Sequence, residues 1–165
     1  NTIIQAETIY PYNKFDKFKN RDAKDIIDLS TTQLATKLNS NGILALTTSG
    51  MSAKKMSRYR PDVDILAVTH DDRIARKLTL AWGVAPAFSV RKNKLDLMLS
   101  EVMHTGLDRG VIKRENTYIL TAGDPVGVAG TTNNIRILKE IEIDYFAGLS
   151  EKKKKKEEPK AATLF

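Results

Sequence analysis

The sequence predicts a three-layer α/β sandwich built around a five-stranded, mostly parallel sheet. Short, wholly apolar runs, such as residues 43–46 and 65–68, alternate with segments whose apolar residues recur every three or four positions. The first pattern is typical of parallel strands buried on both faces, and the second of helices with one buried face. The length of 165 residues and the 41% hydrophobic content suit one domain with a sizeable core.

Helix and strand alternate twice in the first half of the chain. A predicted helix at residues 23–38 ends at an Asn-Gly pair and leads into the strand at residues 43–46. The predicted buried face of this helix consists of Ala23, Ile27, Ser30, Leu34 and Leu38. A second helix, from about residue 52 to 59, is followed by a break at residues 60–62 and by the strand at residues 65–68.

The alternation continues through a third and a fourth helix. Thr69 with Asp72 resembles a capping box at the start of the third helix, which is expected to end at Gly83. Its apolar residues at helical spacing are Ile74, Leu78, Ala81 and Trp82. A third strand at residues 85–90 and a fourth helix at residues 95–106 follow.

The last two predicted strands enclose a glycine-rich loop. The fourth strand covers residues 118–121, the loop residues 122–133, and the fifth strand begins at Ile135 and extends as far as Ile141. A parallel crossover requires about a dozen residues and generally a helix, and no helix fits in this loop. We therefore expect the fifth strand to return antiparallel at or near a sheet edge.

Composition argues against several classes of protein. The chain has no Cys, which excludes disulfides and thiolate metal sites and is compatible with the cytoplasm. No apolar run approaches the roughly 20 residues that cross a bilayer, so we expect no membrane contact. Five of the net seven positive charges belong to a lysine run at residues 152–156 that contains no aromatic residue. This run is typical of a solvated tail, and we expect no nucleic-acid binding.

The loop after the first strand is the first candidate site. Ligands of open α/β sheets bind beyond the carboxyl ends of the strands, and here a strand gives way to a helix through hydroxyl-bearing and small residues. These residues are Thr47, Thr48, Ser49, Gly50 and Ser52. Free backbone N–H groups and the helix dipole attract an anion such as phosphate to such a place. The alternative is a plain turn in which Ser or Thr caps the helix. The lysine and the spacing of a Walker A loop are absent.

The glycine-rich loop is the second candidate, because it meets the first loop if strands one and four are neighbours. Its glycines permit positive φ angles or the close approach of a ligand, while the alternative is a long connection to an edge strand.

Other residues that could carry chemistry fit structural roles better. We expect His70, His104, Asp71 and Asp72 to cap helices or complement their dipoles, and Trp82, Met98 and Met103 to lie in the core.

Several runs, all in the same order, resemble the C-terminal domain of pyruvate kinases. The runs are residues 46–53 (LTTSGMSA), 57–62 (SRYRPD), 65–69 (ILAVT), 75–78 (ARKL), 82–84 (WGV), 120–127 (LTAGDPVG) and 130–133 (GTTN). The similarity extends over about residues 20–140. It implies the strand order 3-2-1-4-5 with the last strand antiparallel.

The resemblance also implies an allosteric role in an oligomer, a tetramer in the parent enzyme. In the family, the loop after the first strand holds a phosphate of an effector, and the glycine-rich loop lies over it. Carried over to this sequence, the effector-binding residues are Thr47, Thr48, Ser49, Gly50, Met51, Ser52, Gly127, Ala129, Gly130 and Thr131. Met51 stands where many relatives have Arg, and Met98 lies near the place of another basic residue in bisphosphate-activated relatives. We therefore expect a sugar monophosphate or AMP rather than fructose bisphosphate, although Arg91, Lys92 and Lys94 are nearby in sequence and can compensate.

The resemblance implies further that catalysis belongs to a separate barrel. That barrel carries the acidic ligands of a divalent metal such as magnesium, a potassium site and a catalytic Lys, so we expect no cofactor and no activity in this segment. Residues 1–20 are predicted to be a connector that packs on the barrel, residues 21–145 the domain, and residues 146–165 a charged tail. The first residue is Asn1 rather than Met, as expected for a piece of a longer chain.

Three alternatives remain open on the sequence. The first is a free-standing module of the same fold that binds a phosphorylated ligand, because fold does not fix function. The second is a small enzyme that acts by itself. The third is nucleic-acid binding through the lysine run, which would be lost at high salt.

Overall fold

Five strands form one sheet in the order β3-β2-β1-β4-β5. A computed structural model describes residues 22–90, 94–128 and 130–157, with the backbone alone at residues 86–89 and 150–157. The strands are β1 (Gly42–Leu46), β2 (Ile65–Thr69), β3 (Val84–Ser89), β4 (Tyr118–Gly123) and β5 (Thr132–Leu138). The helices are α1 (Ala23–Lys37), α2 (Met51–Arg58), α3 (Asp72–Leu78), α4 (Leu95–Asp108) and α5 (Glu140–Glu157).

The pairing confirms the predicted sheet. β1 lies at the centre and runs parallel to β2 and β4, and β2 runs parallel to β3. β5 pairs antiparallel with β4, and the register shifts where Gly123 faces Thr132. Consecutive apolar residues in β1 point to opposite faces of the sheet, and all five residues of this strand are buried. A helical layer therefore covers each face, as in the predicted three-layer sandwich.

Two apolar clusters fill the space between the layers. On one face, Leu44 and Leu120 pack with α4 and α5, whose contributions include Leu99 and Ile143. On the other face, residues such as Ile43, Ile65 and Ile119 pack with α1, α2 and α3. The central strands are thus buried on both sides, which explains their unbroken apolar runs.

Helix α1 buries a different face from the predicted one. Ala23 and Leu38 are exposed, and Ile27, Ser30 and Leu34 are only partly buried. The buried residues are Asp28, Leu29, Thr31, Thr32 and Ala35. Burial of the two threonines is possible because their hydroxyls donate to backbone carbonyls of the same helix, at 2.8 Å and 2.7 Å. The spacing of the apolar residues predicted the wrong buried face, because threonine hydroxyls that are hydrogen-bonded within the helix can also be buried against the sheet.

Helix α3 begins later and ends earlier than predicted. Thr69 is the last residue of β2, and the helix is capped by Asp71, whose carboxylate accepts the Arg73 N–H at 2.8 Å. That hydrogen bond lowers the pKa of Asp71. The helix ends at Leu78, so Trp82 lies in the following turn and is 41% exposed, with the Arg60 guanidinium 5.3 Å from its ring centroid. The prediction that Trp82 belongs to the core was wrong.

The end of the chain also differs from the expectation. β5 ends at Leu138, and α5 runs through residue 146, where the sequence predicted the start of a tail. Phe146 and Ala147 are buried against α4, because Ile143, Phe146 and Ala147 share one face of α5. The predicted connector at residues 1–20 and the last eight residues lie outside the described part of the chain.

Candidate functional site

The loop between β1 and α2 leaves the start of α2 without a side-chain cap. Gly50 is the N-cap residue and adopts φ +78°, a left-handed conformation that glycine tolerates best. The Thr47 hydroxyl accepts the Gly50 N–H at 2.9 Å, which fixes the turn before the helix begins. The first intrahelical bond runs from the Lys54 N–H to the Gly50 carbonyl. The N–H groups of the first helical turn therefore point out of the helix end without a capping side chain.

The glycine-rich loop between β4 and β5 is held at its base. Asn133 accepts the Asp124 N–H at 3.0 Å, and its own amide donates to the Asp124 carbonyl at 2.7 Å. Gly127 and Gly130 have φ angles of +88° and +80°. The first residue of β5, directly after this loop, meets the start of α2, because the Ser52 and Thr132 hydroxyl oxygens are 2.8 Å apart.

A cavity of about 760 Å³ lies between these two loops at the carboxyl edge of the sheet. The predicted site residues that line it are Thr47, Thr48, Ser49, Met51, Ser52, Gly127, Gly130 and Thr131. Gly50 is buried and shapes the turn without lining the cavity, and Ala129 lies outside the described residues. Met98, expected in the core, is 8% exposed and also lines the cavity.

Helix α1 supplies a third wall that the sequence did not indicate. Its residues at the cavity are Asp22, Lys24 and Asp28. The Lys24 ammonium reaches the glycine-rich loop, where it would lie 3.1 Å from a Cβ on Gly130. Asp22 caps the helix by accepting the Asp25 N–H, which lowers the pKa of Asp22. Charged residues at the start of a helix are common, so the sequence carried no signal that these would meet a loop one hundred residues away.

Charge at the cavity is mixed. Lys55 lines it from α2 and forms an ion pair with Asp25, which raises the pKa of Lys55. His70, expected to cap α3, follows β2 and lines the cavity. His104 is elsewhere, on α4, with its Nδ1 2.8 Å from a carboxylate oxygen of Asp108.

Asp28 is the unusual member of this wall. Its side chain is buried, with the residue 1% exposed, and neither carboxyl oxygen has a hydrogen-bond partner in the described part of the structure. Burial raises the pKa of Asp28 to about 6, against smaller opposing effects of the nearby Ser52 hydroxyl and of the Lys55 charge. The carboxyl group is therefore neutral at mildly acid pH and ionised at higher pH.

No metal centre is present among the described residues, in which His, Asp and Glu form no group of three able to hold an ion. Nor does any helix in the described ranges combine the length and the apolar character that crossing a bilayer requires.

The fold and the cavity define an open α/β domain with a ligand-sized cavity at the carboxyl edge of its sheet. Residues 25–138 match the family described as pyruvate kinase, alpha/beta domain. The chain is 31% identical over 137 residues to a pyruvate kinase of Clostridium acetobutylicum, and 33% identical over 141 residues to one of Staphylococcus aureus (strain USA300). These alignments cover 81% and 83% of the chain. The chain therefore belongs to the pyruvate kinase alpha/beta domain family.

The chain spans only about a quarter of its relatives. The aligned region is 29% of the Clostridium protein and 24% of the Staphylococcus protein. The family assignment thus applies to one domain, as the sequence resemblance indicated.

Proposed function

We propose that this chain is the regulatory domain of a pyruvate kinase and that its cavity binds a phosphorylated small-molecule effector. The parent enzyme would transfer phosphate from phosphoenolpyruvate to ADP in a separate catalytic barrel, with magnesium and potassium bound there. Effector binding would bias the arrangement of the subunits, because a ligand that prefers one state shifts the equilibrium toward it. We expect both parts to work in the cytoplasm.

One observation carries the proposal: the uncapped start of α2 opens into a cavity of suitable size. Backbone N–H groups at a helix start, together with the helix dipole, form a binding site for an anion. Small hydroxyl side chains at Thr48, Ser49 and Ser52 let a phosphate approach those N–H groups. The cavity volume of about 760 Å³ falls in the range of roughly 300–1,000 Å³ that small-molecule sites occupy.

The charges favour one phosphate over two. Among the described residues, Lys24 and Lys55 are the lysines that line the cavity, and Lys55 is already paired with Asp25. Met51 and Met98, which line the cavity, carry no charge to hold a second phosphate. Lys94 is exposed but does not line the cavity, and Arg91 and Lys92 lie outside the described residues. A sugar monophosphate or AMP is therefore the ligand class that we propose.

A melting screen of phosphorylated metabolites tests the proposal. A ligand at one hundred times its Kd stabilises a protein by about 2.7 kcal/mol, which raises the Tm of a domain of this size by roughly 5–10 °C. We expect such a shift with ribose 5-phosphate or AMP and a smaller one with fructose bisphosphate. Tight binding of the bisphosphate without binding of any monophosphate would overturn the proposed ligand class.

A matched pair of variants separates specific binding from a general charge effect. Ser49→Asp places a carboxylate at the exposed rim of the cavity and should abolish the shift by repelling phosphate. Asn39→Asp makes the same change of charge before β1, at the opposite end of that strand, and should leave the shift intact. An undiminished shift in Ser49→Asp would place the ligand elsewhere.

We infer that a second surface serves the homo-oligomer of the parent enzyme. Ile137, Ile141 and Tyr145 are 42%, 80% and 62% exposed, and they line one shallow groove between α5 and the edge strand β5. An edge strand next to exposed apolar side chains is a typical protein contact. Light scattering of the chain should show self-association that weakens in Ile141→Asp. If the chain stays monomeric at all concentrations, this surface does not mediate self-association, and contact with the catalytic barrel becomes the alternative.

A further inference from the structure

A simple phosphate site gives Asp28 no role and leaves its position at the cavity wall unexplained. A carboxyl group that is 1% exposed with two unpartnered oxygens is unfavourable unless it is neutral or finds a partner. It lies at the wall of the cavity, beside the helix start at which the anion is proposed to bind. An ionised carboxylate there would repel an anion.

The Ser52 and Thr132 hydroxyls form no hydrogen bond with the Asp28 carboxyl. The Ser52 oxygen is 2.8 Å from that of Thr132, so these two hydroxyls bond to each other, while both Asp28 oxygens stay without a hydrogen-bond partner. Either of the two hydroxyls can donate to the other. An ionised Asp28 would therefore lie at the cavity wall with no hydrogen bond to disperse its charge.

The charge of Asp28 depends on one proton. The ionised carboxylate repels an anion bound at the start of α2, and burial leaves this repulsion little screened by water. The neutral carboxyl removes the repulsion and has an O–H group of its own to donate.

We propose that Asp28 makes anion binding in this cavity depend on the uptake of one proton, because the neutral carboxyl removes the repulsion between a buried carboxylate and the bound anion. This inference rests on the proposed function, since it concerns the same cavity. Asp28 acts through its charge at the wall of the cavity. The proton comes from solvent and returns to it when the anion leaves.

The surrounding charges do not keep Asp28 ionised. Lys55 on α2 favours the ionised form, whereas Asp25 and Asp22 on α1 disfavour it. Burial is the largest effect and raises the pKa of Asp28 to about 6. Lys24 and His70 also line the cavity. Histidine is the side chain that most often changes charge near neutral pH, so His70 needs its own control.

Calorimetric titration of the full chain with inorganic sulfate tests the proposal, because sulfate does not itself titrate between pH 5 and pH 8. If only the neutral form of Asp28 binds, the apparent Kd should rise by up to about 75-fold between pH 5.5 and pH 8. Repeating the titration near pH 7 in buffers of different ionisation enthalpy should show uptake of close to one proton per sulfate. This second measurement needs no variant.

Three variants assign the effect to one residue. Asp28→Asn cannot ionise, so its Kd for sulfate should change by less than about twofold over the same range. Asp62→Asn removes an exposed carboxylate that does not line the cavity and should keep the full pH dependence, as should His70→Gln. A pH-independent Kd in the unaltered chain, or an unchanged pH dependence in Asp28→Asn, would overturn the role of Asp28 while leaving the anion site intact. Sulfate binding at neither pH would overturn the anion site itself.

Discussion

The buried carboxyl of Asp28 should make the stability of the domain fall as the pH rises. Its pKa is about 6 in the folded chain, against an ordinary value of 3.8. Since the folded state holds this proton more tightly than the unfolded state, the unfolding free energy decreases between these two pKa values and is constant above the higher one. A shift of this size corresponds to a penalty of about 3 kcal/mol at neutral pH. About 2 kcal/mol of it should develop between pH 4 and pH 7.

Urea denaturation of the unaltered chain and of Asp28→Asn measures this penalty. Groups such as Asp22 and Asp71, whose pKa values are lowered, stabilise the fold above the unfolded pKa and lose that effect in acid. They titrate in both proteins, so the difference in unfolding free energy isolates Asp28. We expect Asp28→Asn to gain about 2 kcal/mol relative to the unaltered chain from pH 4 to pH 7.

A difference that stays constant with pH, or that shrinks as the pH rises, would refute this reasoning. The first result would mean that Asp28 has an ordinary pKa in the folded chain. The second would mean that an interaction stabilises its ionised form. A difference that changes only above pH 7 would assign the titration to another group.

Four glycine and hydroxyl positions give further expectations, each checked by thermal or urea unfolding. Gly50→Ala should destabilise the domain by about 1–2 kcal/mol, because φ is +78° and the new Cβ would stand 3.0 Å from Ile74. Gly106→Ala should cost about 1–3 kcal/mol, since its Cβ would stand 2.5 Å from buried Ile112, whereas Gly148→Ala in α5 meets nothing and should stabilise by about 0.5–1 kcal/mol. Thr47→Val should cost about 1 kcal/mol by removing the acceptor of the Gly50 N–H. Equal effects at Gly106 and Gly148 would contradict the packing argument.

A phosphotransfer assay with phosphoenolpyruvate, ADP and magnesium addresses activity. We expect the chain alone to form no pyruvate, because the proposed chemistry belongs to a separate barrel. Pyruvate formation above a buffer control would favour the alternative that this is a small enzyme acting by itself.

The strands of the sheet were predictable because their physical signal is local. β1 and β2 are unbroken apolar runs, and such runs occur where both faces of a strand are covered. The antiparallel return of β5 followed from a loop too short for a crossover helix. The apolar face of α1 was not predictable in the same way, because Thr31 and Thr32 satisfy their hydroxyls within the helix and can then be buried.

The candidate site was also predictable only in part, again where the sequence signal is local. The loop after β1 stands out in the sequence because hydroxyl residues and a glycine follow an apolar strand. Lys24 and Asp28 carry no such signal, since they reach the cavity only after α1 packs beside α2 and the glycine-rich loop. The contact between Ser52 and Thr132 joins residues eighty positions apart, and only the pairing of β4 with β1 and β5 brings them together.

An amide-resolved NMR titration with ribose 5-phosphate would test the central claim most directly. Phosphate bound at the start of α2 should shift the N–H signals of Met51, Ser52 and Ala53 most strongly, because those groups would donate to it. Smaller shifts should appear at Gly127 and Gly130 in the loop across the cavity. Saturating shifts confined to β5 and α5, or none at the start of α2, would contradict the account.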